Sequence, residues 1–164
     1  DSAENLLNQL DVRLGRESIH NKKINFKTSL HHNTKIKDFN WCDNHTLHNL
    51  VLNSDLSYIL KHSWALFPDH VVFLGEKPLF INNISELQNF DEDILSSYSF
   101  IFINRVGVLQ NVNVTNAQLE QLSCYYDVIS NIDPKLKLKT LSKNEIGELL
   151  NWDAEVYRQE LANK

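Results

Sequence analysis

The sequence has no methionine, only two cysteines, three prolines and four glycines in 164 residues, and it contains no long apolar run. Each shortage excludes something. Methionine is missing even at position 1, so the sequence given is expected to be a piece of something longer. Cys42 and Cys124 lie far apart with no other cysteine at metal-ligand spacing, which excludes a disulfide framework and a zinc ribbon. A reducing, cytoplasmic setting with two unpaired, mostly buried thiols is the expectation that remains. No stretch approaches the roughly 18 apolar residues of a spanning helix, and no basic segment leads into an apolar core at the start, so neither a membrane span nor a leader is expected. Basic residues are outnumbered: 16 Lys and Arg against 21 Asp and Glu give a net charge of -5 and a pI near 5.8. That balance opposes nucleic-acid and anionic-membrane partners, which need a lysine and arginine excess.

What is present is ordinary globular material, with 42% hydrophobic and 23% charged residues. The length suits one compact domain whose core needs neither metal nor disulfide. Leu6, Leu7, Leu10 and Leu14 recur at helical spacing up to Gly15, predicting an amphipathic helix over residues 3–16. Residues 17–42 read as a polar connector with few apolar anchors, and residues 43–164 as the α/β domain proper. Within it, Leu47, Leu50 and Val51 share one helical face and Leu56, Ile59 and Leu60 another, with Asp55 as the N-cap of the second helix.

The apolar run Val71 to Leu74, bounded by Pro68 and Gly75, reads as a buried strand. Phe100 to Ile103 and Val106 to Gln110 read as two more strands joined by a tight polar connection, and Pro78 to Ile81 as a short one. Capping-box spacing at Ser85-Glu-Leu-Gln88, Thr115-Asn-Ala-Gln118 and Ser142 with Glu145 marks three helix starts, and a last helix is expected from Trp152 to near Ala162. The expected fold is α/β, a small mixed sheet packed by amphipathic helices.

Candidate chemistry sits at the polar corners. Asp69 and His70, at the mouth of the expected strand, suit an acid/base or substrate-orienting pair, or a turn cap beside a core-edge histidine. Asn104, Arg105 and Gly107 occupy the connection between the later strands, where the arginine could hold an anion or pair with Asp153 or Glu155. His45 and His48 are three apart and could share a helical face as weak metal candidates, or be surface or capping histidines. Adjacent His31 and His32 would point to opposite faces of an extended segment. Asp91-Glu-Asp93 lacks the glycine and alternating ligands of a calcium loop, and fits a helix N-terminus instead. Trp152, Tyr157, Tyr125 and Tyr126 fall in helical patterns and read as core or interface.

Three segments taken together, Leu66-Phe-Pro-Asp-His-Val-Val-Phe-Leu-Gly75, the strand pair around Asn104 to Gly107, and Leu149-Leu-Asn-Trp-Asp-Ala-Glu-Val-Tyr-Arg158, resemble the C-terminal region of long class II aldolase/adducin-family proteins. That kind of region is also found in proteins fused to a short-chain dehydrogenase. The resemblance implies that residues 3–16 correspond to the tail of a preceding aldolase-like unit. It also implies a parent reaction, retro-aldol cleavage of a phosphorylated sugar by zinc held on three histidines. This sequence has no His-x-His pair, so the ligand set is not carried over, and zinc is expected only in the missing core. Where the family's core has an Asn-His-Gly turn, this chain has Asn104-Arg105-Val106-Gly107, and arginine does not ligate zinc. The leading expectation is therefore a piece that is not catalytic alone and that completes a pocket or a homo-oligomer interface. The alternative is a stand-alone α/β enzyme or binding protein for a small anionic molecule using Asp69, His70 and Arg105.

Overall fold

The structure, a computed structural model, describes residues 38–133 and 136–152. The helix expected over residues 3–16, and all but Trp152 of the one expected over 152–162, lie outside the described residues. Within them, four short strands pair into one mixed sheet in the order β1-β4-β3-β2: β1 is Phe39–Trp41, β2 Leu79–Ile81, β3 Phe100–Ile103 and β4 Gly107–Asn111. β2 and β3 run parallel, and β3 with β4 and β4 with β1 run antiparallel. Every residue of β3 is buried, as a central strand packed on both faces requires.

Alternation along β3 divides the core in two. Phe100 and Phe102 face a cluster with Trp64, Leu122 and Tyr125, while Ile101 and Ile103 face a second cluster with Leu87 and Leu95. The first face is covered by α1 (Asn49–Leu52), α2 (Ser54–His62) and α5 (Asn116–Ser130). The second is covered by a 3₁₀ segment, Ile84–Asn89, and α4 (Glu92–Ser96), which together make the crossover between parallel β2 and β3. Another 3₁₀ turn, His45–His48, leads into α1. The expected mixed α/β architecture stands.

Several local expectations need correction. Val71 to Leu74 is not a strand: it is the body of α3, Pro68–Leu74. Phe67 is extended at φ −151°, Pro68 sits in the first turn where its missing N–H costs nothing, and Gly75 follows the last residue at φ 82°. A four-residue apolar run has no period of its own, and these flanks decide for helix. Asn53, not Asp55, caps α2, accepting from the backbone N–H of Asp55 and Leu56. The capping box near residue 85 starts earlier, at Asn83 with Glu86. β1 arises inside the expected connector, and Cys124 is exposed although Cys42 is buried. Of the aromatics expected in core or interface, Tyr125 is fully buried in the core and Trp152 is 60% exposed. The boxes at Thr115 with Gln118 and Ser142 with Glu145 form as expected and open α5 and α6 (Lys143–Leu150).

Candidate functional site

The expected Asp69-His70 corner becomes the first turn of α3, and its two side chains part company. Asp69 is half-buried, while His70 points inward and is 0% exposed. Its imidazole meets Trp64 edge-on with ring centroids 4.2 Å apart, Tyr125 at 4.5 Å and Phe67 at 5.5 Å. Both ring nitrogens lack a hydrogen-bond partner among the described residues. The reason lies in the cage itself. The Trp64 indole N–H donates to the Gly75 carbonyl at 2.9 Å, and the Tyr125 hydroxyl donates to the Ser63 carbonyl at 3.2 Å. Both polar handles are thus turned away from the imidazole, which is left with ring faces. Burial pushes the His70 pKa down to about 3, so the ring is neutral and closed to bulk water at pH 7. An acid/base pair needs access to a substrate, and His70 has none in this state.

His48 is also 0% exposed but is fully used. Residues 42 and 108 continue the antiparallel register that places Trp41 opposite Leu109. In a hydrogen-bonded antiparallel pair, two such residues exchange two N–H···O bonds. Here only Cys42 N–H to Val108 O is direct, at 3.0 Å. The other is bridged by the imidazole: Val108 N–H donates to His48 Nδ1 at 2.9 Å, and His48 Nε2 lies 3.0 Å from the Cys42 carbonyl. Since Nδ1 accepts, the proton resides on Nε2, which donates. Burial, partly offset by the Cys42 bond and reinforced by nearby His45, lowers the His48 pKa to about 4. Metal ligation would need one of these nitrogens released. His45 and His48 have ring centroids 6.1 Å apart at a 38° tilt. Among the described residues, no group of three metal-ligating side chains converges.

Asn104, Arg105 and Gly107 lie where expected, at the β3–β4 hairpin. Val106 N–H closes the turn on the Ile103 carbonyl at 3.0 Å, and Arg105 takes a left-handed φ of 57°. The turn is held from two sides: Asn104 N–H donates to Ile81 O at 2.9 Å and Arg105 N–H to Val51 O at 3.0 Å. The Asn104 amide also reaches Asn82 Oδ1 at 3.3 Å. Gly107 is buried in β4, and the Arg105 side chain is exposed. Asp153 and Glu155, its expected partners, lie outside the described residues. Arg105 sits at the end of β3, against α1. α3 packs on α5 and α6, and its Phe73 carbonyl accepts from Gln118 Nε2, which also donates to Ser99 Oγ just before β3 begins. The hairpin turn is held by Ile81 and Val51 and the His70 cage is walled by Trp64, Phe67 and Tyr125, so the two are separate features.

Sequence reasoning missed Trp64 and Tyr125 as the walls of the cage and Gln118 as the tie between α3, α5 and β3. Tyr125 had a signal, because it lies three residues after Leu122 and four before Ile129 on one face of α5. Trp64 had none, since it stands in the irregular stretch before α3. Comparison with known proteins found no matching family model, no matching curated protein and no matching solved structure.

Proposed function

We propose that this chain is the C-terminal portion of a class II aldolase-like protein. On this reading it lacks the zinc-histidine site, is not catalytic alone, and completes a pocket or a homo-oligomer interface. One observation carries the reading. Two of the segments on which the resemblance rests meet in one small apolar joint, through Val71 of residues 66–75 and Leu149 at the start of the last segment. Ala65, Val71 and Ile146 share a cluster with Leu141 and Leu149, and Leu141 N–H donates to Ala65 O at 2.7 Å. Segments distant in sequence that pack on each other as a unit, with their histidine turned inward, suit a structural appendage better than a reaction centre. The internal use of His48 supports the same reading, because both of its nitrogens serve the sheet.

The test is direct. The purified chain, incubated with zinc, is assayed for retro-aldol cleavage of sugar phosphates and analysed for bound metal; neither turnover nor stoichiometric zinc is expected. Stoichiometric zinc with turnover overturns the proposal. The interface is tested by sedimentation over a concentration series, where a species that stays monomeric removes the oligomer role. The coding sequence upstream of residue 1 is the independent check. A segment encoding His-x-His and Asn-His-Gly supports the reading, and an unrelated segment removes it.

A further inference from the structure

We propose that the joint of α3, α5 and α6 is an acid-sensitive latch, with His70 as the group that senses the proton and α3 and α6 as the elements released. The proposal goes beyond the aldolase-like reading and does not depend on it. Its geometry is that of a site built to hold an imidazole only while it is neutral. His70 is 0% exposed between Trp64, Phe67 and Tyr125, and among the described residues neither nitrogen has a hydrogen-bond partner. A proton added to this ring finds no hydrogen-bond acceptor among the described residues, and the polar groups of the Trp64 and Tyr125 walls donate to the carbonyls of Gly75 and Ser63.

Among the described residues, no charge contributes to the proton affinity of His70. On α3 itself the neighbouring acid is Asp69, half-buried. On α5 the groups are Tyr125 in the cage wall and the exposed Glu120 and Asp127. On α6 they are Lys143, Glu145 and Glu148, all exposed, and before Trp64 stand exposed Lys61 and His62. Burial is the one cause behind the lowered affinity of His70 for a proton, with no charge pair contributing. The attraction of a cation to three ring faces is real but small beside the desolvation of a fully buried imidazolium.

The apolar contact between α3 and α6 is small, although the cage walls Trp64 and Tyr125 belong to the first sheet-face cluster. Its cluster is three buried residues, Ala65, Val71 and Ile146, with Leu141 and Leu149 half-buried, whereas the two sheet-face clusters are far larger. α3 has seven residues, and its C-terminal end is held by hydrogen bonds from Trp64 to Gly75 and from Gln118 to Phe73. Opening lets water reach His70, whose open form binds a proton near pH 6.5. The open population therefore grows about tenfold for each pH unit below that value, until the closed form also titrates. The released faces of α3 and α6 then present Val71 and Ile146, an apolar surface hidden at neutral pH.

Hydrogen exchange of the full chain at pH 7.0 and 5.0, corrected for the intrinsic rate, tests the latch. Residues 64–75 and 143–150 are expected to open on the order of tenfold more per pH unit, ahead of β3 and β4. The variant His70→Phe, aromatic and uncharged, is expected to abolish that response in these two segments while leaving the acid response of the sheet in place. An unchanged response in His70→Phe, or opening of residues 64–75 only together with β3, overturns the proposal. Should that variant fail to fold, imidazole NMR of the natural chain decides instead. A His70 ring that stays neutral in the closed form at pH 5 supports the latch, and one that titrates near 6.5 with the Trp64 signals unmoved refutes it.

Discussion

Replacing His48 by alanine tests the bridge between β1 and β4 most sharply. The substitution leaves Val108 N–H and the Cys42 carbonyl facing each other across a gap that the imidazole had filled. Each orphaned buried group costs about 1–3 kcal/mol, and water entering the vacated space recovers part of that. A net loss of about 3 kcal/mol is expected, a large share of the roughly 5–15 kcal/mol that holds a domain together. Urea unfolding at pH 7.5 followed by tryptophan fluorescence measures it, with the Trp41 ring centroid 6.3 Å from that of His48 as a local reporter. Glutamine, which also carries one acceptor and one donor, is expected to recover part of the loss. A second signature is the pH profile. The folded pKa lies near 4, below the ordinary 6.5, so the unfolded chain takes the proton first. The stabilisation is complete above about pH 6.5 and is lost as pH falls, by about 2 kcal/mol at pH 5 and about 3 at pH 4 for this group alone. His48→Ala flattens that component. A loss below about 1 kcal/mol at pH 7.5 with an unchanged pH profile would refute the bridging role.

Three further substitutions probe the rest of the fold. Arg105→Gly relieves a left-handed residue worth about 1–2 kcal/mol of strain and adds about 0.4–1 of unfolded-chain entropy, so a net gain of about 0.5–1 kcal/mol is expected in denaturant unfolding; a loss would mean that the side chain itself holds the turn. Gly147→Ala, within α6 and with open space around the added Cβ, is expected to stabilise by about 0.5–1 kcal/mol and raise Tm. Tyr125→Phe removes the hydroxyl bond to Ser63 O but keeps the ring wall, and a loss of about 1 kcal/mol is expected by thermal unfolding. In the native protein a thiol reagent is expected to modify exposed Cys124 promptly. Buried Cys42, whose thiol pKa is raised by burial, is expected to react only on unfolding, as timed labelling by mass spectrometry would show.

The sequence by itself determined those elements whose signals are local. The capping boxes of α5 and α6, the apolar pattern of β2, β3 and β4, and the acidic first turn of α4 follow from contacts within a few residues, and each appears where the residues predict it. Tertiary structure decided the rest. Four apolar residues at 71–74 fit a strand or a helix equally well until Pro68 and Gly75 fix the ends and α5 and α6 supply the surface to pack on. β1 becomes a strand because β4 offers it an edge. The largest shift concerns the histidines, whose spacing suggested chemistry. His48 completes a ladder with a residue 60 positions away, and His70 enters a cage whose Tyr125 wall comes from another helix. Neither role is written locally, because a neutral imidazole behaves as a bridge, a core ring or a base according to which groups the fold turns toward its two nitrogens.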